Sequence, residues 1–354
     1  MITSAGRETL LWSSRTLLRC YRRLVRGIIR REKRTCSSMA VSNSGNTFTV
    51  ATFNILAPCH KRLTKKQASR WLRREIDIPE LFTKRTREIL ELIKSAGPLD
   101  VLCLQEFSTD DRIVDMFHDA LGTRYNLLQL PRAETEEGLA MFIDKSIHIV
   151  KTVTQELPGT SCRVALHALL QVPTIKTKVL VSTTHLEYQY HYFSEKIRQA
   201  QIKEILSCTE KIRSEYLLGK DSPFLLMGDF NGSPDSGTYS LLNEAGFLSA
   251  HLKVHGLEPA VTHKDHKGNE FTADYVFYRS QCLHVKPVVV NVHPLQYGTM
   301  KWPTEFIASD HRLLTAQFDL DQEILLDGRD DIATVVDTDW THKRRQNRAL
   351  CSLL

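Results

Sequence analysis

The chain has 354 residues, of which 42% are hydrophobic and 25% charged, values that fit one large globular domain with terminal extensions. Its net charge of +6 is misleading, because residues 1–40 hold nine Arg and one Lys against two acidic residues and so carry about +8. The rest of the chain then sums to about −2, which excludes a strongly basic nucleic-acid-binding body. No apolar run is long enough to cross a bilayer.

Eight cysteines are scattered along the chain, at positions 20, 36, 59, 103, 162, 208, 282 and 351. None belongs to a Cys-x-x-Cys pair, so the spacing argues against a zinc site. We recognise no apolar signal peptide. The sequence therefore predicts an intracellular protein with reduced thiols.

Both ends of the chain contain targeting patterns. Residues 1–45 form a basic leader in which Arg alternates with Leu17, Leu24 and Ile28 at helical spacing, as in a mitochondrial presequence. A disordered leader, or an extension ahead of a start at Met39, is the alternative. Residues 320–354 form an acidic and then basic tail whose last four residues begin with Cys351, as in a prenylation box. Prenylation would anchor a cytosolic protein to a membrane, and the alternative is a chance match.

Between these ends, residues 46–319 are interpreted as one domain. Helical periodicity is found at 79–94, 112–121 and 193–216. Strand patterns are found at 47–55, 101–105, 125–130, 139–143, 147–153, 164–172, 178–185, 224–228, 273–278, 283–292 and 311–318. Strands outnumber helices without strict βαβ alternation. The sequence therefore predicts an α/β fold, a four-layer α/β sandwich of two mixed, mainly antiparallel sheets packed face to face with helices outside.

Polar residues recur where these apolar strands begin or end. The set comprises Asn54, Glu106, His185, Asp229, Asn231, Asp274, Asp310 and His311. Burying a carboxylate is costly unless a metal or a cation compensates it, so a shared site is expected. Carboxylate and amide oxygens favour Mg²⁺ over zinc, and the histidines supply acid, base or oxyanion donors. Together these groups predict metal-assisted hydrolysis of a phosphoester.

A basic stretch follows Asn54 and contains Lys61, Arg62, Lys65 and Lys66. We interpret it as a solvated loop, and steering of a polyanion is the alternative.

The order of the strand-end blocks resembles the endonuclease/exonuclease/phosphatase superfamily. The blocks are Thr52-Phe53-Asn54-Ile55-Leu56, Leu104-Gln105-Glu106, Thr184-His185-Leu186, Gly228-Asp229-Phe230-Asn231, Asp274-Tyr275 and Ser309-Asp310-His311. The stretch from Gly228 to Ser236 is similar to the branch of nocturnin and the carbon-catabolite-repressor-type deadenylases. A plant group of uncharacterised proteins described as calcium-binding is also similar.

The resemblance implies a role for each matching residue. Glu106, Asn54 and Asp310 would hold Mg²⁺, with Mn²⁺ as a substitute. Asp229 would orient and deprotonate the attacking water, and Asn231 would hold that water or a phosphate oxygen. His311 would donate to a non-bridging phosphate oxygen. Asp274 would orient His311, and His185 would be a second phosphate donor. Arg163 and Arg198 are candidate substrate-binding residues, with ordinary ion pairs as the alternative.

This chain differs from the deadenylases in the stretch before Asp274. The deadenylases have an adenine-stacking Phe there, whereas this chain has residues 263–270, which contain two His and no Phe. The primary hypothesis is an RNA phosphodiesterase, specifically a 3′-exoribonuclease. The alternatives are a phosphatase acting on a nucleotide, inositol phosphate or phospholipid, and a catalytically inactive binding module.

Overall fold

The computed structural model describes residues 47–63, 74–173, 177–189, 192–219, 222–265, 267–279, 285–294 and 308–320. The basic leader and the tail with its Cys351 box lie outside the described residues, and the inferences about targeting and anchoring stay predictions. None of the described helices has the length and apolarity that crossing a membrane requires.

The described residues form fourteen strands and five α-helices. The strands are β1 (Thr47–Asn54), β2 (Val101–Ser108), β3 (Tyr125–Pro131), β4 (Glu137–Asp144), β5 (His148–Glu156), β6 (Val164–Val172), β7 (Thr177–His185), β8 (Phe224–Asp229), β9 (Phe247–Ser249), β10 (His263–Lys264), β11 (Glu270–Phe271), β12 (Asp274–Arg279), β13 (Val285–Val292) and β14 (Leu314–Leu320). The helices are α1 (Pro79–Ser95), α2 (Asp111–Leu121), α3 (Ser194–Glu215), α4 (Gly237–Glu244) and α5 (Ala250–His255).

Two six-stranded sheets organise the fold. The first has the order β13-β14-β1-β2-β4-β3 and the second the order β5-β6-β7-β8-β12-β9. Each sheet is antiparallel except for one central parallel pair, β1 with β2 and β7 with β8. The carboxyl ends of parallel strands lie at the same edge of a sheet. The residues that end the two strands of each pair are therefore close together.

Three apolar clusters show the layering. Side chains such as Val50 and Val181 fill the space between the two sheets. A second cluster joins the outer face of the first sheet to α1 and α2, through Phe82 and Phe117. A third joins the second sheet to α3 and α4, through residues such as Ile205. The predicted four-layer sandwich is confirmed.

Local sequence signals explain where several helices begin. Pro79 occupies the first turn of α1, where its missing N–H costs nothing. The side chain of Asp110 caps α2 by accepting from the N–H of Arg112 at 3.0 Å. Ser236 and Ser249 cap α4 and α5 in the same way. These two short helices, together with β9, β10 and β11, are absent from the sequence-based prediction.

Two further predictions require correction. The strand predicted from His311 begins instead at Leu314, and His311 lies in the preceding segment, paired by a single bridge with His263. Lys61 does not lie on a solvated loop, because its side chain is buried with Nζ 3.1 Å from the Glu75 carboxylate. Its neighbour Arg62 is exposed, as expected.

Candidate active site

The strand ends bring the predicted polar residues to one edge of the sandwich. Asn54 ends β1, and His185 and Asp229 end β7 and β8, where they lie opposite each other in register. Asp274 begins β12 and is paired with Asp229 across the antiparallel ladder. Glu106 sits at a register shift in β2, between Gln105 and Phe107, with a left-handed φ of +55°. A bulge of this kind turns a side chain out of the regular alternation.

Asn54 connects the two central carboxylates. Its Nδ2 donates to Glu106 Oε1 at 3.2 Å and to Asp229 Oδ2 at 3.0 Å. Its Oδ1 accepts from the N–H of Leu56 at 3.0 Å, while the N–H of Ala57 donates to Glu106 Oε2 at 2.9 Å. The residues following β1 therefore fix the amide and one carboxylate by backbone hydrogen bonds. In this arrangement Asn54 aligns two carboxylates through its amino group.

Asp229 is the centre of the cluster. Its Oδ1 accepts from the backbone N–H of Asn231 at 2.9 Å, and its Oδ2 lies 3.4 Å from His185 Nε2 and 3.7 Å from His311 Nε2. The preceding Gly228 has φ +144°, and a Cβ there would lie 2.1 Å from the carbonyl oxygen of Thr184. Only glycine fits that close approach.

The side chain of Asn231 hydrogen-bonds the backbone of the segment after β7. Its Nδ2 donates to the carbonyl oxygen of Leu186 at 2.9 Å, and its φ is +49°. Asn tolerates this left-handed conformation better than most residues. Asn231 thus ties the end of β8 to the segment after β7.

Asp274 holds the ring of His311. Asp274 Oδ2 lies 2.8 Å from His311 Nδ1 and accepts from the hydroxyl of Thr262 at 2.7 Å. Burial lowers the pKa of His311, but attraction to Asp274 and Asp229 and the hydrogen bond to Asp274 outweigh it and raise the pKa to about 10. His311 is therefore a charged donor at neutral pH, with Nε2 directed toward Asp229.

His185 is in the opposite protonation state. Burial, followed by the charges of Arg163 and Arg132, holds the pKa of His185 well below 6.5. One side of Asp229 thus meets a neutral imidazole and the other an imidazolium. Groups whose surroundings push their pKa values apart in this way are a feature of sites that carry out acid–base chemistry.

His263 was missed by the sequence analysis and belongs to this cluster. Its ring stacks on His311 with centroids 3.8 Å apart and planes at 11°, and its Nε2 lies 3.7 Å from Asp310 Oδ2. Burial opposes ionisation of Asp310, but the hydrogen bond to His263 and the charges of His311 and His263 lower its pKa to about 2. His263 lies on the short β10–β11 hairpin. Because strands of two residues are too short to produce a periodic pattern, the sequence analysis could not predict this hairpin.

The donor set fits a hard cation only in part. Glu106 and Asp310 have carboxylate oxygens that could bind a cation. The side-chain oxygen of Asn54, in contrast, accepts a hydrogen bond from the N–H of Leu56. Two groups have ligand atoms within 4.8 Å of one another, His263 with Asp310 and His311, and Asp229 with Asp274 and His311. The site therefore has candidate metal-holding groups.

The two predicted substrate-binding arginines differ in their surroundings. Arg198, on α3, bonds Glu195 Oε2 through Nε at 3.1 Å and donates to the Glu187 carbonyl oxygen at 3.1 Å. Its contacts join α3 to the segment after His185, so its role in binding substrate stays a prediction. Arg163 precedes β6, is buried, and lines the same cleft as His185.

Comparison with known proteins identifies the family to which the chain belongs. A sequence model of the endonuclease/exonuclease/phosphatase family matches residues 51–311, well over half of the chain. The chain belongs to this family.

Individual relatives refine the comparison. An uncharacterised calcium-binding protein of Arabidopsis thaliana is 30% identical over 280 residues, covering 74% of this chain and 56% of that protein. The CCR4-Not complex 3′-5′-exoribonuclease subunit Ccr4 of Yarrowia lipolytica is 27% identical over 207 residues, 47% of this chain and 29% of that subunit. The chain thus spans little more than half the length of the first relative and less of the second.

Among solved structures, the human nocturnin catalytic domain with a bound sulfate anion has the same fold. The TM-score is 0.60 at 22% identity, with 79% of this chain and 96% of that domain covered.

Proposed function

We propose that this protein is a Mg²⁺-dependent phosphodiesterase that hydrolyses RNA or another nucleic acid, acting as a 3′-exoribonuclease. The observation that carries the proposal is the geometry around Asp229, whose Oδ2 lies 3.4 Å from His185 Nε2 and 3.7 Å from His311 Nε2. Asn54 donates to both Asp229 and Glu106 and so ties the two carboxylates together. Family membership supports a phosphoester as substrate, and the similarity to an exoribonuclease subunit supports RNA.

The chain's own residues can activate the attacking water and stabilise the charge that develops on the phosphate. A carboxylate that accepts a proton from water must be ionised and held still, and Asp229 is fixed by Asn54 on one oxygen and by Asn231 on the other. His311, charged and oriented by Asp274, donates from Nε2 to a non-bridging phosphate oxygen as negative charge develops. His185 supplies a neutral donor on the opposite side of Asp229.

A divalent cation held by Glu106 and Asp310 would supply charge neutralisation on the phosphate and help to orient it. Asn54, whose amino group faces Glu106, would act on that cation through water or by aligning the carboxylate. Mn²⁺ is the expected substitute because it accepts the same oxygen ligands.

The test is hydrolysis by the purified full-length chain. It should cleave bis(p-nitrophenyl) phosphate and an RNA oligonucleotide with Mg²⁺ and stop in EDTA. Asp229→Asn and His311→Ala should each lower kcat by about 10²-fold or more, the usual effect of losing an acid–base group or a transition-state donor. Asp119→Asn and His118→Ala are matched controls, because both side chains are exposed on α2. Undiminished activity in EDTA would disprove the metal role.

The substrate is distinguished in a second assay. An oligonucleotide labelled at its 5′ end should be shortened one nucleotide at a time from its 3′ end. Internal cuts would show an endonuclease instead. Release of inorganic phosphate from a nucleotide or inositol phosphate, with RNA left intact, would favour the phosphatase alternative.

A further inference from the structure

A cleft beside His185 contains two buried arginines. It is a shallow cleft of about 170 Å³ with open solvent included, and its lining includes Arg132, Glu137, Arg163 and His185. Arg132 follows β3, Glu137 begins β4 and Arg163 precedes β6, so residues from both sheets contribute to the cleft. His185 connects the cleft to Asp229, at 3.4 Å. The two arginines therefore lie on the His185 side of the proposed catalytic centre.

Arg132 has partners within the protein. Its Nη2 is ion-paired with Glu137 Oε1, and its Nη1 donates to the carbonyl oxygen of Ser161 at 3.1 Å. Glu137 also faces His60 Nε2 at 3.6 Å. Hydrogen bonds to the Cys59 side chain and to Glu137 raise the pKa of His60 to about 11. The Glu137 carboxylate thus already has an arginine and a histidine as neighbours before Arg163 is considered.

Arg163 differs from Arg132 because its guanidinium has no hydrogen-bonding or ion-pairing partner in the part of the chain that the structure describes. Only 5% of the residue is exposed, its Nε is buried without a hydrogen bond, and no ion pair to it is found among the described residues. Burial lowers the pKa of Arg163, Arg132 adds to that effect, and Glu137, Glu106 and Asp229 oppose it from a distance. A buried cation without a contacting anion is expensive, so its presence beside a reactive centre points to an anionic ligand.

We propose that Arg163 and Arg132 form a subsite for a second phosphoryl group of the substrate, next to the phosphate that is cleaved. The inference rests on the proposed function and narrows it to substrates that carry at least two phosphoryl groups close together. A planar guanidinium donates two parallel hydrogen bonds to such a group, which a lysine cannot do. The second group is either the neighbouring backbone phosphate of an oligonucleotide or the extra phosphate of a nucleoside bisphosphate.

The proposed subsite predicts how substitutions of the two arginines change the Tm as well as how they change ligand binding. Arg163→Met removes an unpaired buried charge, so we expect an unchanged or higher Tm. Arg132→Met leaves Glu137 buried beside His60 alone, so we expect a lower Tm. If Arg163 were a structural residue, both substitutions would lower the Tm. Arg112→Met is the control, because Arg112 is exposed on α2.

Binding is measured by calorimetry with the full-length chain in EDTA, where no hydrolysis occurs. Wild type should bind adenosine 3′,5′-bisphosphate at least tenfold more tightly than adenosine 5′-monophosphate. Arg163→Met should reduce this preference to less than threefold, Arg163→Lys should retain part of it, and Arg112→Met should retain all of it. The 5′-phosphorylated dinucleotide pApA, compared with ApA, distinguishes an oligonucleotide from a small nucleotide as the source of the second phosphate.

The outcomes separate this inference from the proposed function. An unchanged preference in Arg163→Met, or a wild type that does not distinguish the two nucleotides, would overturn the subsite even if RNA is hydrolysed. A loss of preference accompanied by a Tm lowered as much as in Arg132→Met would also overturn it, because Arg163 would then be structural. A preserved preference without any hydrolysis would support the subsite and refute the hydrolase.

Discussion

Outside the proposed catalytic cluster, Arg85 should be the residue whose substitution lowers stability most. It lies on α1, buried, and its Nη1 donates to the carbonyl oxygens of Ile55 at 2.8 Å and Ala308 at 3.0 Å. Its Nη2 donates to the Leu56 carbonyl oxygen at 2.7 Å, and its Nε bonds Glu75 at 2.7 Å. The guanidinium thus joins the segment that follows Asn54 to the segment that precedes Ser309.

The cost of Arg85→Met can be worked out from these contacts. The substitution leaves three buried carbonyl oxygens without their charged donor and leaves Glu75 with Lys61 as its remaining partner. Removing one member of a buried ion pair costs about 3–5 kcal/mol. Since a domain is typically stable by about 5–15 kcal/mol, this loss is a large part of the free energy of unfolding. We expect a decrease of about 3–5 kcal/mol.

Urea unfolding followed by circular dichroism measures this change. Arg112→Met is the control, because that side chain is exposed. A decrease below about 1 kcal/mol would refute the reasoning. Arg85→Lys keeps the charge but cannot reach all three carbonyl oxygens and Glu75 at once. Its kcat should therefore fall while the protein remains folded, because Ser309 Oγ, which donates to the Asn54 carbonyl oxygen at 2.7 Å, would lose its fixed position.

Three further predictions concern single side chains. Asp274→Asn removes the attraction that raises the pKa of His311, so the loss of activity with rising pH should begin well below pH 10; an unchanged basic limb of the kcat/KM profile would contradict this. Gly228→Ala should destabilise the fold by more than about 2 kcal/mol because of its positive φ and the contact with Thr184, measured as a lowered urea midpoint. Burial lowers the pKa of His167, on β6, from 6.5 to about 4. In the unfolded chain His167 therefore binds a proton more readily than in the folded protein. Up to about 3 kcal/mol of stability present above pH 6.5 should be lost as the pH falls to 4. His167→Gln should reduce this dependence of the free energy of unfolding on pH.

The strand-end residues could be predicted from sequence because each follows a continuous apolar run. Val101–Leu104 and Phe224–Met227 are buried on both faces, and a polar residue at the end of such a run needs a reason. The meeting of Asn54, Glu106 and Asp229 then follows from the parallel pairing at the centre of each sheet. The resemblance to the family depends on the order of the six strand-end blocks along the chain, because no single block is specific enough.

Other parts of the site have no comparable sequence signal. His263 arrives on a two-residue strand, and Arg132 follows an edge strand whose burial depends on how the sheets pack. Arg85 occupies a helix position that would ordinarily be read as part of a charged outer face, in the stretch Lys84-Arg85-Thr86-Arg87. Only tertiary contacts distinguish the buried Arg85 from the exposed Lys84 and Arg87, so the local sequence pattern cannot identify it.

Backbone strain is concentrated around the same centre. Among the described residues, six other than glycine have positive φ, and three of them are Leu56, Glu106 and Asn231. Two more flank the arginine cleft, with Cys162 directly before Arg163 and Glu134 between Arg132 and Glu137. Each such residue costs about 1–3 kcal/mol unless its surroundings compensate. Strain of this kind persists where the geometry of a site depends on it. Because the proposed catalytic centre and the arginine cleft both show such strain, we expect the two to form one substrate-binding surface. Variants that relax the backbone at Cys162 should then change the binding of a second phosphate more than they change stability.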